Sequence, residues 1–276
     1  MFKRLLLLLL LITPSLQGKE KVTCSEQTVC VYAEQQGQQA KFSVENKALF
    51  PVTVRLTFAL DNLQIVEHRS LLATYPGLSK TLAVELKPIN SSQGTKRHFK
   101  FAWQRGALDV KHDDDFEYRL PYAIGSRYPL TQGFNGKFSH KNDNQYAVDF
   151  AMPVGTKVHA ARGGLVVAVR IDSNKNCVSS HCRNEGNFIA VLHSDGTLGE
   201  YHHLKLGGAL VALGEQVEQG QIIALSGNTG WSSKPHLHFS VHSATDGKLR
   251  RSHAILFRTQ TAVVSELEVG RAYVAN

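Results

Sequence analysis

Beyond residue 12, this 276-residue sequence has no apolar run long enough to cross a bilayer. That excludes a helical membrane protein of the ordinary kind and leaves only the N-terminus to explain. Lys3 and Arg4 precede an unbroken apolar run over residues 5–12, followed by Thr13-Pro14-Ser15. The run is shorter than the roughly 18 to 20 residues a spanning helix needs, so residues 1–18 read as a cleaved export leader. A retained anchor is the weaker alternative. Cleavage is expected between Ser15 and Gly18, and no cysteine follows to carry a lipid.

Cysteine is scarce, with four in the chain. Cys24 lies near Cys30, and Cys177 near Cys182, so two short-loop disulfides are expected in an oxidising compartment. Cys177, His181 and Cys182 also suggest a metal site, but no fourth ligand stands at a familiar spacing, and local disulfides are preferred. Acidic residues are outnumbered, giving a net charge of +8; loss of Lys3 and Arg4 with the leader lowers it to +6. A basic exported chain suits an anionic surface such as a cell wall or lipid headgroups. A basic helix and an aromatic stacking motif are both missing, so nucleic acid is not an expected partner.

Amphipathic helical periodicity is nearly absent as well, which points to an all-β protein. Residues 28–118 contain short alternating runs, among them Val29-Cys30-Val31-Tyr32, Ala40-Lys41-Phe42-Ser43-Val44 and Val52-Thr53-Val54-Arg55-Leu56. Turn residues separate them. This spacing predicts an antiparallel β-sandwich over residues 19–122, of immunoglobulin-like type. Nothing catalytic stands out in it. After the connector Leu120-Pro121-Tyr122, residues 123–260 form a second, glycine-rich β region, and residues 261–276 a tail that adds a strand at most. Two glycine–valine–glycine segments, 154–167 and 213–223, resemble the rhythm of biotinyl and lipoyl carriers, yet no exposed lysine at a hairpin tip accompanies them.

Chemistry concentrates in the second region. Pro235-His236-Leu237-His238-Phe239 places two imidazoles one residue apart in a strand-like run, so both project from one face. A catalytic Zn²⁺ takes three ligands from His, Asp or Glu and keeps a fourth position for water. His140, Asp149 and His238 are the candidates for that set, with His203 and His236 as further imidazoles. Each has a plainer reading: a lone strand histidine is usually solvated, and Asp149 alone could cap a turn. A buried carboxylate without a partner is costly, however. His202 is expected to face away from His203 into solvent, while His159, His193, His242 and His253 default to structure or surface. Ser226-Gly227-Asn228-Thr229-Gly230 reads as a loop rimming the site rather than a phosphate cradle.

Gly133-Phe134-Asn135-Gly136, Ser139-His140, the stretch from Tyr146 to Thr156 around Asp149, Tyr201-His202-His203-Leu204, Ser226-Gly227-Asn228-Thr229-Gly230 and Pro235-His236-Leu237-His238-Phe239 occur in this order. Together they closely resemble the lysostaphin-type, or LytM-like, zinc metallopeptidases that cleave peptidoglycan peptides. The resemblance runs from about Leu130 to Val241. It implies a β-sheet groove, the duplicated hybrid motif of that family, with zinc on its floor held by His140, Asp149 and His238. It also implies that His236 acts on water or the tetrahedral intermediate, and that His203 is its partner near the oxyanion. The substrate would be a peptidoglycan stem or cross-link peptide, met in the periplasm or outside the cell, with a Gram-negative periplasm favoured. The non-catalytic alternative is a wall-binding or amidase-regulating module that keeps the fold. One departure stands out. In many relatives the first histidine lies four positions before the aspartate, where this chain has Gln145; His140 requires an inserted loop over 141–145, and Asp143 is the reserve ligand.

Overall fold

The computed structural model describes residues 19–247 and 249–276; the expected leader, residues 1–18, lies outside the described residues. The chain is all-β, as its composition implies, with only two short 3-10 turns, Asn142–Asn144 and Ser180–Glu185, among the described residues. No helix among them is long and apolar enough to cross a membrane.

Eight strands between Lys19 and Arg105 build two facing antiparallel sheets. One holds the first, second, third, seventh and fifth strands in that order; the other holds the sixth, fourth and eighth. Alternation is the cause: in Gln39–Asn46, Ala40, Phe42 and Val44 turn inward while Lys41 faces water. The sandwich is therefore present, but its strand order is not the immunoglobulin one. Tight hairpins keep the first three strands side by side, whereas an immunoglobulin sheet places the first two beside the fifth and fourth.

The second region centres on a nine-stranded sheet. Its order is Gln216–Val217, Gly164–Arg170, Phe188–Leu192, Leu198–His202, Leu237–Ala244, Val148–Phe150, Arg127–Gln132 and Ala272–Val274, with Arg250–Ser252 added beside Leu237–Ala244. One face rests on a core that includes Val148, Phe150, Ile189, Val191, Tyr201, Leu237, Phe239 and Val241. Each such large side chain contributes on the order of 1.5–3 kcal/mol by leaving water. The same core takes in Tyr118, Leu120 and Tyr122, and Glu117–Arg119 pairs with Leu256–Arg258. Packing thus changes hands upstream of the expected boundary at 122, because the apparent connector is buried. The tail also joins this region: Ala272–Val274 pairs with Arg127–Gln132, and the Tyr122 hydroxyl donates to the Tyr273 carbonyl.

The other face of the sheet carries the site. Along Leu237–Ala244, His238, Ser240 and His242 point to it, opposite Leu237, Phe239 and Val241. Four residues from His238, about 13 Å along the strand, this face is roofed by the sandwich. Leu198, Ala190, Val167 and Ala168 of the sheet share one apolar cluster with Phe42, Val54, Leu56 and Val84 of the sandwich. The two regions are cemented through that cluster.

Candidate metal centre

Strand register sets the floor of the site. Gln132 lies opposite Asp149, Asp149 opposite His238, His238 opposite His202 and His202 opposite Phe188. Directly opposed residues share a face, so these side chains form one row across the sheet. His140 reaches the row from the loop that follows Arg127–Gln132, and it is completely buried.

Asp149 is the hub. Its Oδ1 lies 2.8 Å from His238 Nδ1 and 3.2 Å from His140 Nε2, and its Oδ2 accepts a hydrogen bond of 2.9 Å from Gln132 Nε2. Gln132 Oε1 accepts the backbone N–H groups of Phe138 and Ser139, tying the carboxylate to the loop that delivers His140. His140 Nδ1 donates to the Gly133 carbonyl at 2.8 Å, which leaves Nε2 as a lone-pair donor facing Asp149. Two imidazole nitrogens and a carboxylate oxygen all lie within 4.8 Å of one another and are buried. This donor set fits a zinc ion by ligand type, and the bond from His140 to a backbone carbonyl is the kind of outer contact that orients a metal-bound imidazole.

The electrostatics agree with a cation. Burial works against ionising Asp149, but hydrogen bonds with His140 and His238 outweigh it and hold the carboxyl well below its ordinary pKa. Burial pushes His238 down to about 4 despite that carboxylate. Burial also opposes charge on His140, yet the hydrogen bond and charge of Asp149 prevail and raise its pKa.

His203 and His236 form a second pair, with ring centroids 4.5 Å apart. His203 follows the strand Leu198–His202 with φ of +61°, a left-handed backbone that turns its ring back over the site. Its Nδ1 donates to the Thr229 carbonyl at 2.7 Å, and His236 Nδ1 donates to the Lys234 carbonyl at 2.8 Å. Both rings therefore keep Nε2 free for the centre; His236 Nε2 lies 3.9 Å from Asp149 Oδ1. Burial, then the neighbouring His236 and His238, push His203 well below its ordinary pKa, so it rests neutral. Gly227 of the 226–230 loop is required here: a Cβ on it would lie 2.5–2.7 Å from the backbone of His203, Leu204 and Lys205.

The five residues singled out in the sequence thus come together, and His140 bridges the lengthened spacing. Asp143 does not join them; it faces Arg250 at 3.6 Å, and Gln145 donates to Asn135. His202 departs from expectation. The left-handed turn at His203 breaks strand alternation, so both rings face the site, and His202 lies 5.6 Å from His238, ring to ring. Gln132, Thr229 and the pair of buried Glu200 with half-buried Arg250 were not legible in the sequence, since no local pattern marks a contact between residues 17 to 50 positions apart. Both disulfides, Cys24–Cys30 and Cys177–Cys182, are formed, and the sulfurs of the alternative metal cluster are consumed in the second.

Comparison with known proteins follows the same lines. Residues 143–250 match the profile of peptidase family M23. Peptidoglycan DD-endopeptidase ShyA of Vibrio cholerae is 29% identical over 186 residues, which are 66% of this chain and 40% of that protein. Glycyl-glycine endopeptidase ALE-1 of Staphylococcus capitis is 37% identical over 142 residues, 51% of this chain and 34% of that one. This chain spans less than half the length of either relative. Among solved structures, the catalytic domain of lysostaphin from Staphylococcus simulans is 29% identical, covers 48% of this chain and 88% of its own, and gives a TM-score of 0.32. The region that carries Asp149, His203, His236 and His238 belongs to peptidase family M23.

Proposed function

We propose that this protein is an exported zinc-dependent endopeptidase that hydrolyses peptide bonds in peptidoglycan stems or cross-links. The observation that carries the reading is the buried set of His140, Asp149 and His238, open on one side toward His203 and His236. Named relatives that share the region act on peptidoglycan or on glycyl-glycine bonds, which supplies the substrate class. Two disulfides and the leader-like residues 1–18 support an oxidising location outside the cytoplasm.

Zinc held by His140, Asp149 and His238 would polarise the scissile carbonyl and make water acidic enough to attack near neutral pH. The remaining steps belong to the chain. Because Nδ1 of His236 and of His203 is committed to a backbone carbonyl, each neutral ring has a bare Nε2 that can take a proton. His236, beside Asp149, is placed to receive the proton of the attacking water. That proton passes from His236 to Nε2 of His203, whose ring lies 4.5 Å away, and His203 donates it to the oxygen that gains charge and then gives it up to the departing amine as the C–N bond breaks. Gln132 keeps Asp149 aligned, and Thr229 keeps His203 aligned.

The test is incubation of the full chain with defined cross-linked muropeptides, with products identified by mass. One zinc per chain, cleavage of one peptide bond, loss on chelation and recovery on adding zinc are expected. Undiminished cleavage after complete metal removal would overturn the mechanism. Muropeptide binding by zinc-loaded protein without any product would instead return the non-catalytic module.

A further inference from the structure

His202 is absorbed by none of the roles above, yet it occupies the row of Asp149 and His238. On the Asp149 side that row is walled by Gln132 and the loop carrying His140. On the other side the floor runs outward through His202, Phe188 and Arg170, all partly exposed. Beyond them a cleft of about 490 Å³ opens between sheet and sandwich, lined by Phe188, Arg170, Trp103 and Arg105 among others. A peptide chain bound at the metal centre and leaving it by this side meets His202 first.

The ring is held with unusual care for a surface residue. Its Nε2 donates to Glu200 Oε2 at 2.9 Å, and Glu200 is itself buried and paired with Arg250. Arg250 is braced in turn by Asn144 and Asp143 in the loop that follows His140. Phe188 stacks on one face of His202 at 5.2 Å with an interplanar angle of 20°, and Arg105 of the sandwich lies over Phe188 at 5.5 Å. With Nε2 committed to Glu200, Nδ1 is the ring atom left without a partner among the described residues, and a bare Nδ1 accepts a hydrogen bond. An acceptor fixed beside a peptidase centre suits the one donor every peptide offers at regular intervals, a backbone N–H.

We infer that His202 is a substrate-positioning residue whose Nδ1 accepts a backbone N–H of the bound peptide next to the scissile bond, with Glu200 and Arg250 fixing the ring. The inference rests on the peptidase reading and names a further contact in the same groove. It is specific about which ring nitrogen matters, and that makes it separable from a structural role. Asparagine places an oxygen near the position of Nδ1 but cannot reach Glu200. Glutamine reaches toward Glu200 but leaves the Nδ1 position empty. Phenylalanine keeps the stack on Phe188 and provides neither.

The experiment measures kcat and KM of the full-length wild type, His202→Asn, His202→Gln and His202→Phe on one soluble muropeptide dimer, with zinc content and thermal midpoint for each. Calorimetric titration with the same dimer, using zinc-loaded protein, gives an affinity that does not depend on turnover. Expected are one zinc per chain in all four proteins, and a roughly 5- to 10-fold rise in KM and in Kd for the Gln and Phe variants with kcat little changed. The Asn variant should stay within about 3-fold of wild type. Loss of zinc in the Phe variant, a fall in kcat at unchanged KM, or a Gln variant that outperforms Asn would each overturn the assignment. If the wild type binds the dimer without cutting it, the endopeptidase reading fails while the order of affinities still decides the role of His202.

Discussion

Gln39–Asn46 in the sandwich and Leu237–Ala244 in the large sheet are both eight-residue strands paired on two sides, and they use their alternation differently. In the first, inward Ala40, Phe42 and Val44 alternate with Lys41, Ser43 and Glu45, and water takes the polar side. In the second, all eight residues are buried, although His238, Ser240 and His242 alternate with Leu237, Phe239 and Val241. A polar face that is buried must find partners within the protein. Here it finds Asp149 for His238, and His242 for Ser240. Stability and chemistry have been divided between the two strands, and substitutions on each should fail in different ways.

The largest effect is expected at Asp149. Asp149→Ala removes the charge shared by two imidazoles and should abolish stoichiometric zinc and cut kcat/KM on muropeptides by at least about a thousandfold. Zinc analysis and turnover of the purified variant check this. Phe42→Ala, in the sandwich, should do the opposite. Phe42 meets Phe58 and Phe99 edge-on at 4.9 and 5.1 Å, so truncation leaves a cavity costing about 3–5 kcal/mol while zinc stays bound. Because the cluster containing Phe42 extends to Leu198 and Ala190 of the large sheet, one denaturation transition should move as a whole. Two separated transitions, or zinc loss in Phe42→Ala, would break the division.

Legibility followed the same divide. Alternation told which side chains of the sandwich point inward, since that depends only on sequence period, but not which strands are neighbours, which hairpins and crossovers decide. The site was readable where its residues cluster, as in His236-Leu237-His238, or where an aspartate interrupts an apolar strand, as Asp149 does. It was unreadable where one backbone angle overrides the period. At His203 the left-handed conformation brings His202 and His203 to the same side, against the rule for a continuous strand. Tyr118, Leu120 and Tyr122 carried turn signals around Pro121 yet lie in the core, because the chain there runs beneath the second region rather than between the two.

A third prediction concerns acid. His193, at the end of Phe188–Leu192, is buried against Tyr118 and donates from Nδ1 to the Gly163 carbonyl at 3.0 Å. Burial lowers its pKa to about 4, against an ordinary 6.5, so the folded state resists a proton that the unfolded chain accepts. The stability that comes from keeping it neutral is complete above pH 6.5 and drains away as pH falls toward 4, by about 3 kcal/mol in all. Urea midpoints at pH 7 and pH 4.5 should therefore differ less in His193→Gln than in the wild type.

The smallest effect on stability, and the one that sharpens the comparison most, lies in the disulfides. Cys24–Cys30 and Cys177–Cys182 close loops of similar length, with sequence separations of 6 and 5. By loop-closure entropy each is worth about 2 kcal/mol. Their neighbours differ. Cys24–Cys30 joins the first two strands of the sandwich, with no contact to the site. The Cys177 carbonyl accepts Ser232 N–H at 3.1 Å, the Val178 carbonyl accepts Trp231 Nε1–H at 3.0 Å, and Asn176 Nδ2 donates to the Ser232 carbonyl at 2.8 Å. Ser232 Oγ in turn lies 3.1 Å from His236 Nδ1, and the Thr229 carbonyl holds His203. Paired serine replacements should thus cost similar stability, yet only Cys177→Ser with Cys182→Ser should lower kcat, by roughly 10-fold with zinc retained, because the loop positioning both free Nε2 atoms is no longer clamped. Equal kcat in the two double variants would show that the loop holds its histidines without the disulfide. A drop after Cys24→Ser with Cys30→Ser would mean that the sandwich edge reaches the chemistry, and the division between the regions would no longer hold.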